Sequence, residues 1–265
     1  MPFAITAARA AKHMWEEPCI SGKNGSGTVF FSGCQLRCCY CQNSEISSKC
    51  FGKKISPTEL CDIFKRLEAE GVHNINLVSP TPYVPLILKA FDIYKPQLPI
   101  VYNSGGYESE STIEMLKGAV DIYLLDYKYS SSEKAGKYSA AADYPVVAER
   151  ALKKAYETVG VPKFDSDGIM KSGVIVRHLL LPFATKDAAE VMRRVKSMNI
   201  DVIFSLMGQY TVMPNVEFKE LQRRVTKREY EKTVLEMERL GLKGYVQELD
   251  SAKSTYIPSF DLTGM

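Results

Sequence analysis

Four cysteines stand in one short loop, Gly33-Cys34-Gln35-Leu36-Arg37-Cys38-Cys39-Tyr40-Cys41, and three of them carry the spacings that matter. Three residues separate Cys34 from Cys38, and two separate Cys38 from Cys41. One loop of that length wraps three thiolates around a corner of an iron–sulfur cubane. Full protein ligation of a cubane takes four cysteines, so three leave one iron open to an outside ligand. Catalytic zinc sites keep an open position by the same logic. Cys39 fits neither spacing and is expected to point away. Other readings stay open on spacing alone. A zinc site would need a fourth ligand, for which Cys19 and Cys50 are available, and an electron-transfer cluster would take Cys50. Chance clustering is the third.

The chain has seven cysteines in 265 residues. A disulfide framework favours an even count in a much shorter chain. Metal or redox chemistry in a reducing compartment is the better fit.

The elements that must hold this loop follow a repeating plan. Strand-like runs rich in Val, Ile, Leu and Tyr occur at 27–32, 74–78, 100–103, 120–125, 174–180, 202–206 and 245–249. Their low charge suits strands buried on both faces. Helical patterns lie between them. Ser56-Pro57-Thr58-Glu59 and Thr226-Lys227-Arg228-Glu229 are capping boxes, the first with proline at the first helical position. Further helices are expected over 83–94, 109–117, 146–159 and 187–198. Alternating strands and helices predict an α/β fold of mostly parallel strands, a partial (β/α)6-type TIM-like barrel. A doubly wound open sheet competes with it. In either fold, ligands gather beyond the C-terminal strand ends. Asp126 and Lys128 end the fourth strand on one side of it, the expected interior, and charged groups are rarely buried without a partner.

With these motifs in place, the sequence resembles the radical S-adenosylmethionine (SAM) superfamily. Its signature is Cys-x3-Cys-x-aromatic-Cys after the first barrel strand, with Tyr40 as the aromatic here. The resemblance is closer still to the uncharacterised homologues of pyruvate formate-lyase activating enzyme. Supporting stretches run in order along the chain: Gly25-Ser26-Gly27-Thr28-Val29-Phe30-Phe31, Cys41-Gln42-Asn43, Asn74-Ile75-Asn76-Leu77-Val78, Val101-Tyr102-Asn103, Asp121-Ile122-Tyr123-Leu124, Asp126-Tyr127-Lys128-Tyr129 and Val176-Arg177-His178-Leu179. The resemblance divides the chain into an N-terminal extension, 1–26, and a barrel domain, 27–265, with a C-terminal helix and tail.

The resemblance implies two cofactors, a 4Fe–4S cluster on Cys34, Cys38 and Cys41, and SAM. The reduced cluster would cleave SAM to methionine and a 5′-deoxyadenosyl radical that abstracts hydrogen. The cofactor carries that chemistry while the protein binds, orients and excludes water. Candidate SAM contacts follow. Tyr40 would lie near the adenine, Asn103 and Ser104 at the third strand end, and Lys128 on the SAM carboxylate with Asp126 orienting it. Gly105 and Gly106 would let backbone approach the ligand. Met207 and Gln209, with Tyr210, would close the adenosine pocket. Arg177 and His178 share an apolar strand, so one of them faces inward. His178 is a further candidate contact, against the plainer role of a satisfied core histidine.

Three departures stand out. Activating enzymes carry Gly-Gly-Glu after the second strand, where this chain reads Val78-Ser79-Pro80-Thr81-Pro82. Hydroxyls of Ser79 and Thr81, or backbone carbonyls, would have to accept the hydrogen bond from the SAM amino group. Phe183 follows Pro182 where glycine is usual. The N-terminal segment keeps only Cys19 of the additional cysteines common in this branch, so no second cluster is expected.

The implied activity is that of a radical SAM oxidoreductase, with activation of a glycyl radical enzyme as the leading form. A small-molecule substrate or another protein side chain is the alternative, and an iron–sulfur electron carrier the remote one. A low-potential electron donor of flavodoxin or ferredoxin type is implied. The net charge of +3 and the absence of an aromatic-interleaved basic stripe give no reason to expect nucleic acid. No apolar run approaches the roughly 20 residues of a membrane helix, and the first residues lack a secretion signal. The expected location is cytoplasmic.

Overall fold

The computed structural model describes residues 4–214, 216–247 and 258–265. Its strands are β1 (Ile5–His13), β2 (Ser26–Phe31), β3 (Lys53–Ile55), β4 (Ile75–Val78), β5 (Ile100–Ser104), β6 (Ile122–Asp126), β7 (Lys163–Phe164), β8 (Met170–Leu179), β9 (Ile203–Met207) and β10 (Gly244–Gln247). Its helices are α1 (Pro18–Ser21), α2 (Ser44–Ser47), α3 (Pro57–Ala69), α4 (Val84–Ile93), α5 (Glu110–Met115), α6 (Ser132–Ser139), α7 (Tyr144–Val159), α8 (Thr185–Ser197) and α9 (Lys227–Arg239).

The parallel strands run in the order β2-β4-β5-β6-β8-β9-β10, without reversal. A doubly wound sheet reverses its order at a switch point. This one steps in a single direction, as a barrel does, and stays open. It is an α/β partial barrel. Every residue of β2, β4 and β5 is buried, as expected for parallel strands covered on both sides.

Both capping boxes form. Ser56 accepts from the Glu59 backbone N–H while Glu59 accepts from that of Ser56, and Thr226 and Glu229 do the same for α9. Each such cap stabilises its helix by about 1 kcal/mol. The strand expected at 245–249 is seen as β10; Glu248 and Leu249 lie outside the described residues.

The segment read as an extension contributes β1, which pairs antiparallel with both β2 and β3 in the same sheet. Its alanines suit a helix in isolation, yet Ile5, Ala7, Ala8 and Ala10 are fully buried in the strand. Tertiary packing overrides propensity here. The tail closes onto the same strand, Leu262 N donating to Ala8 O at 3.1 Å and Ala10 N to Thr263 O at 2.9 Å.

The bulkiest fully buried side chains include Tyr102, Tyr123, Tyr127, Tyr129, Tyr144 and Tyr210. A tyrosine core brings hydroxyls into the interior, and buried hydroxyls need partners.

Candidate active site

A cavity of about 280 Å³ opens beyond the C-terminal ends of the parallel strands. The cysteine loop follows β2 directly and gives the cavity Cys38, Tyr40 and Cys41. β5 contributes Asn103, the end of β6 Asp126 and Lys128, and the end of β9 Met207 and Gln209. A smaller pocket adjoins Cys34 and is lined by Ser79, Thr81, Ser104 and Glu108. The sequence candidates are thus gathered at one end of the sheet, on two neighbouring cavities. Tyr210 lines neither, and nor does His178. It is buried on the other face of β8, with Nδ1 2.7 Å from Tyr127 O and Nε2 without a hydrogen-bond partner. Its neighbour Arg177 faces the cavity instead.

The cysteine loop is tied down from several sides. Arg37 donates through NH1 to Cys34 O at 2.7 Å, and Cys41 N donates to Cys38 O at 3.1 Å. Ser139 Oγ donates to Cys38 Sγ at 2.9 Å, and Cys41 Sγ lies 3.3 Å from Ser47 Oγ. Burial pushes the Cys38 thiol up to about 11 and raises Cys34 as well; the Lys128 ammonium works against both shifts. Cys34, Cys38 and Cys41 act on one another electrostatically. Among the described residues no three His, Cys, Asp or Glu side chains form a group that could hold a single metal ion. Cys39 is partly exposed, and its N–H donates to Tyr138 O at 2.8 Å.

Charge is neutralised within the cavity wall. Lys128 Nζ donates to Asp126 Oδ2 at 2.5 Å. Arg177 donates to Asp126 Oδ1 at 2.9 Å, to Asn103 Oδ1 at 2.7 Å and to Glu16 Oε2 at 3.4 Å. Burial alone would raise Asp126, but Arg177 and Lys128 outweigh it and hold the carboxyl below its ordinary value. Burial would likewise lower Lys128, and Asp126 reverses that.

Several groups in or behind the walls of the two cavities carry no sequence signal. Glu16, from the loop after β1, accepts from Asn76 Nδ2 at 3.1 Å and Asn103 Nδ2 at 3.2 Å. Burial pushes Glu17 beside it up to about 7, and its Oε2 has no hydrogen-bond partner. Glu108 is 2% exposed and accepts from Thr81 Oγ1 at 2.8 Å and Tyr102 OH at 3.0 Å. The Thr81 hydroxyl proton is therefore committed to a buried carboxylate. Only the alternation around Val176-Arg177-His178 could have flagged Arg177, by requiring that one of the two face inward.

Backbone conformation explains two motif positions. Gly106 has φ 74°, and a Cβ there would fall 1.9 Å from Asp126 O, so only glycine fits. Ser79, where activating enzymes place Gly-Gly-Glu, has φ 55°. The turn keeps a conformation that glycine adopts freely, with serine occupying it at a cost.

Similarity to known proteins agrees with this geometry. The family model described as the radical SAM superfamily matches residues 28–170. An uncharacterised protein of Methanocaldococcus jannaschii, MJ0674, is 31% identical over 230 residues, which is 82% of this chain and 63% of that one. The chain thus spans less than two thirds of that relative. Among solved structures, Streptococcus suis SuiB bound to its precursor peptide SuiA is similar at a TM-score of 0.55 and 15% identity, over 83% of this chain and 48% of that one. The hydrogenase maturase HydG of Carboxydothermus hydrogenoformans gives 0.55 at 16% identity, over 87% of this chain and 56% of that one. At such identities these two likenesses concern the fold. The chain belongs to the radical SAM superfamily, whose cofactors are a 4Fe–4S cluster and S-adenosylmethionine.

Proposed function

We propose that this protein is a radical SAM oxidoreductase that holds its cluster on Cys34, Cys38 and Cys41. The observation that carries the reading is three thiols of one loop, within electrostatic reach of one another, Cys38 and Cys41 bordering the cavity at the strand ends and Cys34 the pocket next to it. The donor set fits a cubane. Thiolates are its usual ligands, and a cubane spreads them over separate irons, so they need to share one volume and not one point. The Lys128 ammonium and the Ser139 and Ser47 hydroxyls face sulfurs that become anionic on ligation. When bound, the cluster supplies one electron to the sulfonium of SAM.

The chain's own residues bind and orient. Lys128, held by Asp126, presents a cation to the SAM carboxylate. Asn103, fixed by Arg177 and Glu16, presents an amide at the next strand end. Tyr40, Met207 and Gln209 enclose the adenosine. In the smaller pocket Thr81 gives its proton to Glu108 and keeps an oxygen lone pair for the SAM ammonium, beside Ser79 and Ser104.

For the substrate, the leading reading is a polypeptide, in the manner of glycyl radical enzyme activation. The rim supports it: Trp15 is 60% exposed at the cavity and Met14 40% exposed beside it, an apolar surface suited to a protein partner. A flavodoxin- or ferredoxin-type donor would supply electrons. The test is anaerobic. Reconstituted protein, SAM and dithionite should yield 5′-deoxyadenosine and methionine, and no cleavage would overturn the reading. Deuterium passing from a labelled protein into deoxyadenosine supports the polypeptide form; label arriving only from a small molecule rejects it.

A further inference from the structure

Ser139 is the last residue of α6 and is 1% exposed. Its hydroxyl donates to Cys38 Sγ at 2.9 Å. Behind it, Tyr129 OH lies 2.7 Å from Ser139 Oγ, and Tyr40 OH lies 2.5 Å from Tyr129 OH. The end of α6 also grips the loop backbone: Ser139 O accepts from Arg37 N at 3.1 Å, and Tyr138 O from Cys39 N at 2.8 Å. Ala140 then turns the chain away in a left-handed cap at φ 54°. Three hydrogen bonds from one helix terminus fix where the Ser139 hydroxyl stands.

We propose that Ser139 is a positioning residue that raises the reduction potential of the cluster, as the last donor of a one-way hydroxyl chain ending on Cys38 Sγ. The proposal rests on the cluster reading above. The direction of the chain is forced. A ligating thiolate has no proton and only accepts. The single proton of Ser139 therefore goes to sulfur, so Tyr129 must donate to Ser139 and Tyr40 must donate to Tyr129. Every O–H dipole then turns its positive end toward the cluster, and such chains polarise one another. When bound, the cluster would take one electron from a low-potential one-electron reductant, with no proton moved. The added negative charge is spread over sulfur, where the aligned dipoles stabilise it; hydrogen bonds to cluster sulfurs are among the features that set such potentials. Cys41 has a lone counterpart in Ser47, at 3.3 Å and without a tyrosine behind it. It should matter less.

The test measures potential, not turnover. Full-length wild type, Ser139→Ala, Ser139→Thr, Tyr129→Phe and Ser47→Ala are reconstituted without oxygen. Iron and sulfide are counted, and the reduced cluster is followed by electron paramagnetic resonance against redox mediators. At the wild-type midpoint, Ser139→Ala should lose about tenfold in the ratio of reduced to oxidised cluster, a shift of about 59 mV to lower potential. Tyr129→Phe should move the same way by less, Ser47→Ala least, and Ser139→Thr should return toward wild type. Ser139→Ala with full iron and an unchanged midpoint would overturn the proposal while leaving the cluster reading intact. Should Ser139→Ala hold no cluster, Tyr129→Phe decides, and an unmoved midpoint there overturns the proposal. Wild type without a 4Fe–4S cluster overturns the reading and the proposal together.

Discussion

Arg177 Nε donates to Asp126 Oδ1 at 2.9 Å, and the two residues are direct register partners on the parallel strands β8 and β6. Asp126 also receives Lys128, so one carboxylate is shared by two cations in the cavity wall. Removing one partner of a buried pair leaves the other charge exposed to a low-dielectric interior. Asp126→Ala should therefore destabilise the fold by about 3–5 kcal/mol. Asp126→Asn keeps an acceptor for Arg177 and should cost less. Urea denaturation reads both; a loss under 1 kcal/mol for the alanine variant would show that the pairing is energetically idle.

The four cysteines of the loop should separate into three and one. Cys34→Ala, Cys38→Ala and Cys41→Ala should each lose the brown chromophore and SAM cleavage. Cys39→Ala should keep both, since the Cys39 side chain packs against the core and lines neither cavity. A colourless Cys39→Ala, or a coloured Cys38→Ala, contradicts the assignment.

Phe183 stands at φ 59°, in the left-handed region that favours glycine. Its ring lies under the Arg223 guanidinium, 3.8 Å from carbon to centroid, and its N–H donates to Glu229 Oε1 at 2.8 Å. The cation–π contact offsets part of the backbone strain, the two being about 0.5–1 and 1–2 kcal/mol respectively. Phe183→Ala keeps the strain and loses the contact; Phe183→Gly loses both. The alanine variant should be the less stable by about 1 kcal/mol. Equal midpoints in guanidinium would remove the strain argument.

Stability should also carry the imprint of Glu17. Burial pushes its carboxyl from 4.5 to about 7. Below pH 4.5 it is protonated in folded and unfolded chains alike. As pH rises from 4.5 to 7 the unfolded chain ionises it and the folded chain resists, so stability falls and then levels off. The loss amounts to about 3 kcal/mol. Glu17→Gln should flatten that part of the profile. If urea midpoints at pH 5 and pH 7.5 differ equally in variant and wild type, Glu17 is not the group responsible.

What the sequence made readable was local. The cysteine spacing, two capping boxes and the apolar strand runs each lie within a few residues; both boxes form, and among the described residues each run meets a strand whose ends are shifted by a few positions. Asp126 and Lys128 were legible for the same reason, being two residues apart on one strand. Ser139 was not, because 101 residues separate it from Cys38 and no pattern marks a serine at a helix end. His178 shows a different limit. Adjacent strand residues face opposite ways, so the alternation says that one of Arg177 and His178 turns inward but not which. β1 was hidden by its alanines, which favour a helix until β2 and β3 bury them.

The reach of Glu16 to Arg177 has a bearing on how the molecule comes into being. The two are 161 positions apart. At ribosomal speeds of roughly 5–20 residues per second, the carboxylate waits about 8–30 seconds for its guanidinium. Through that interval β1 and β2 can pair, but the interior beneath the cysteine loop lacks its counter-charge. The cavity is thus complete only once β8 and the strand after it have emerged.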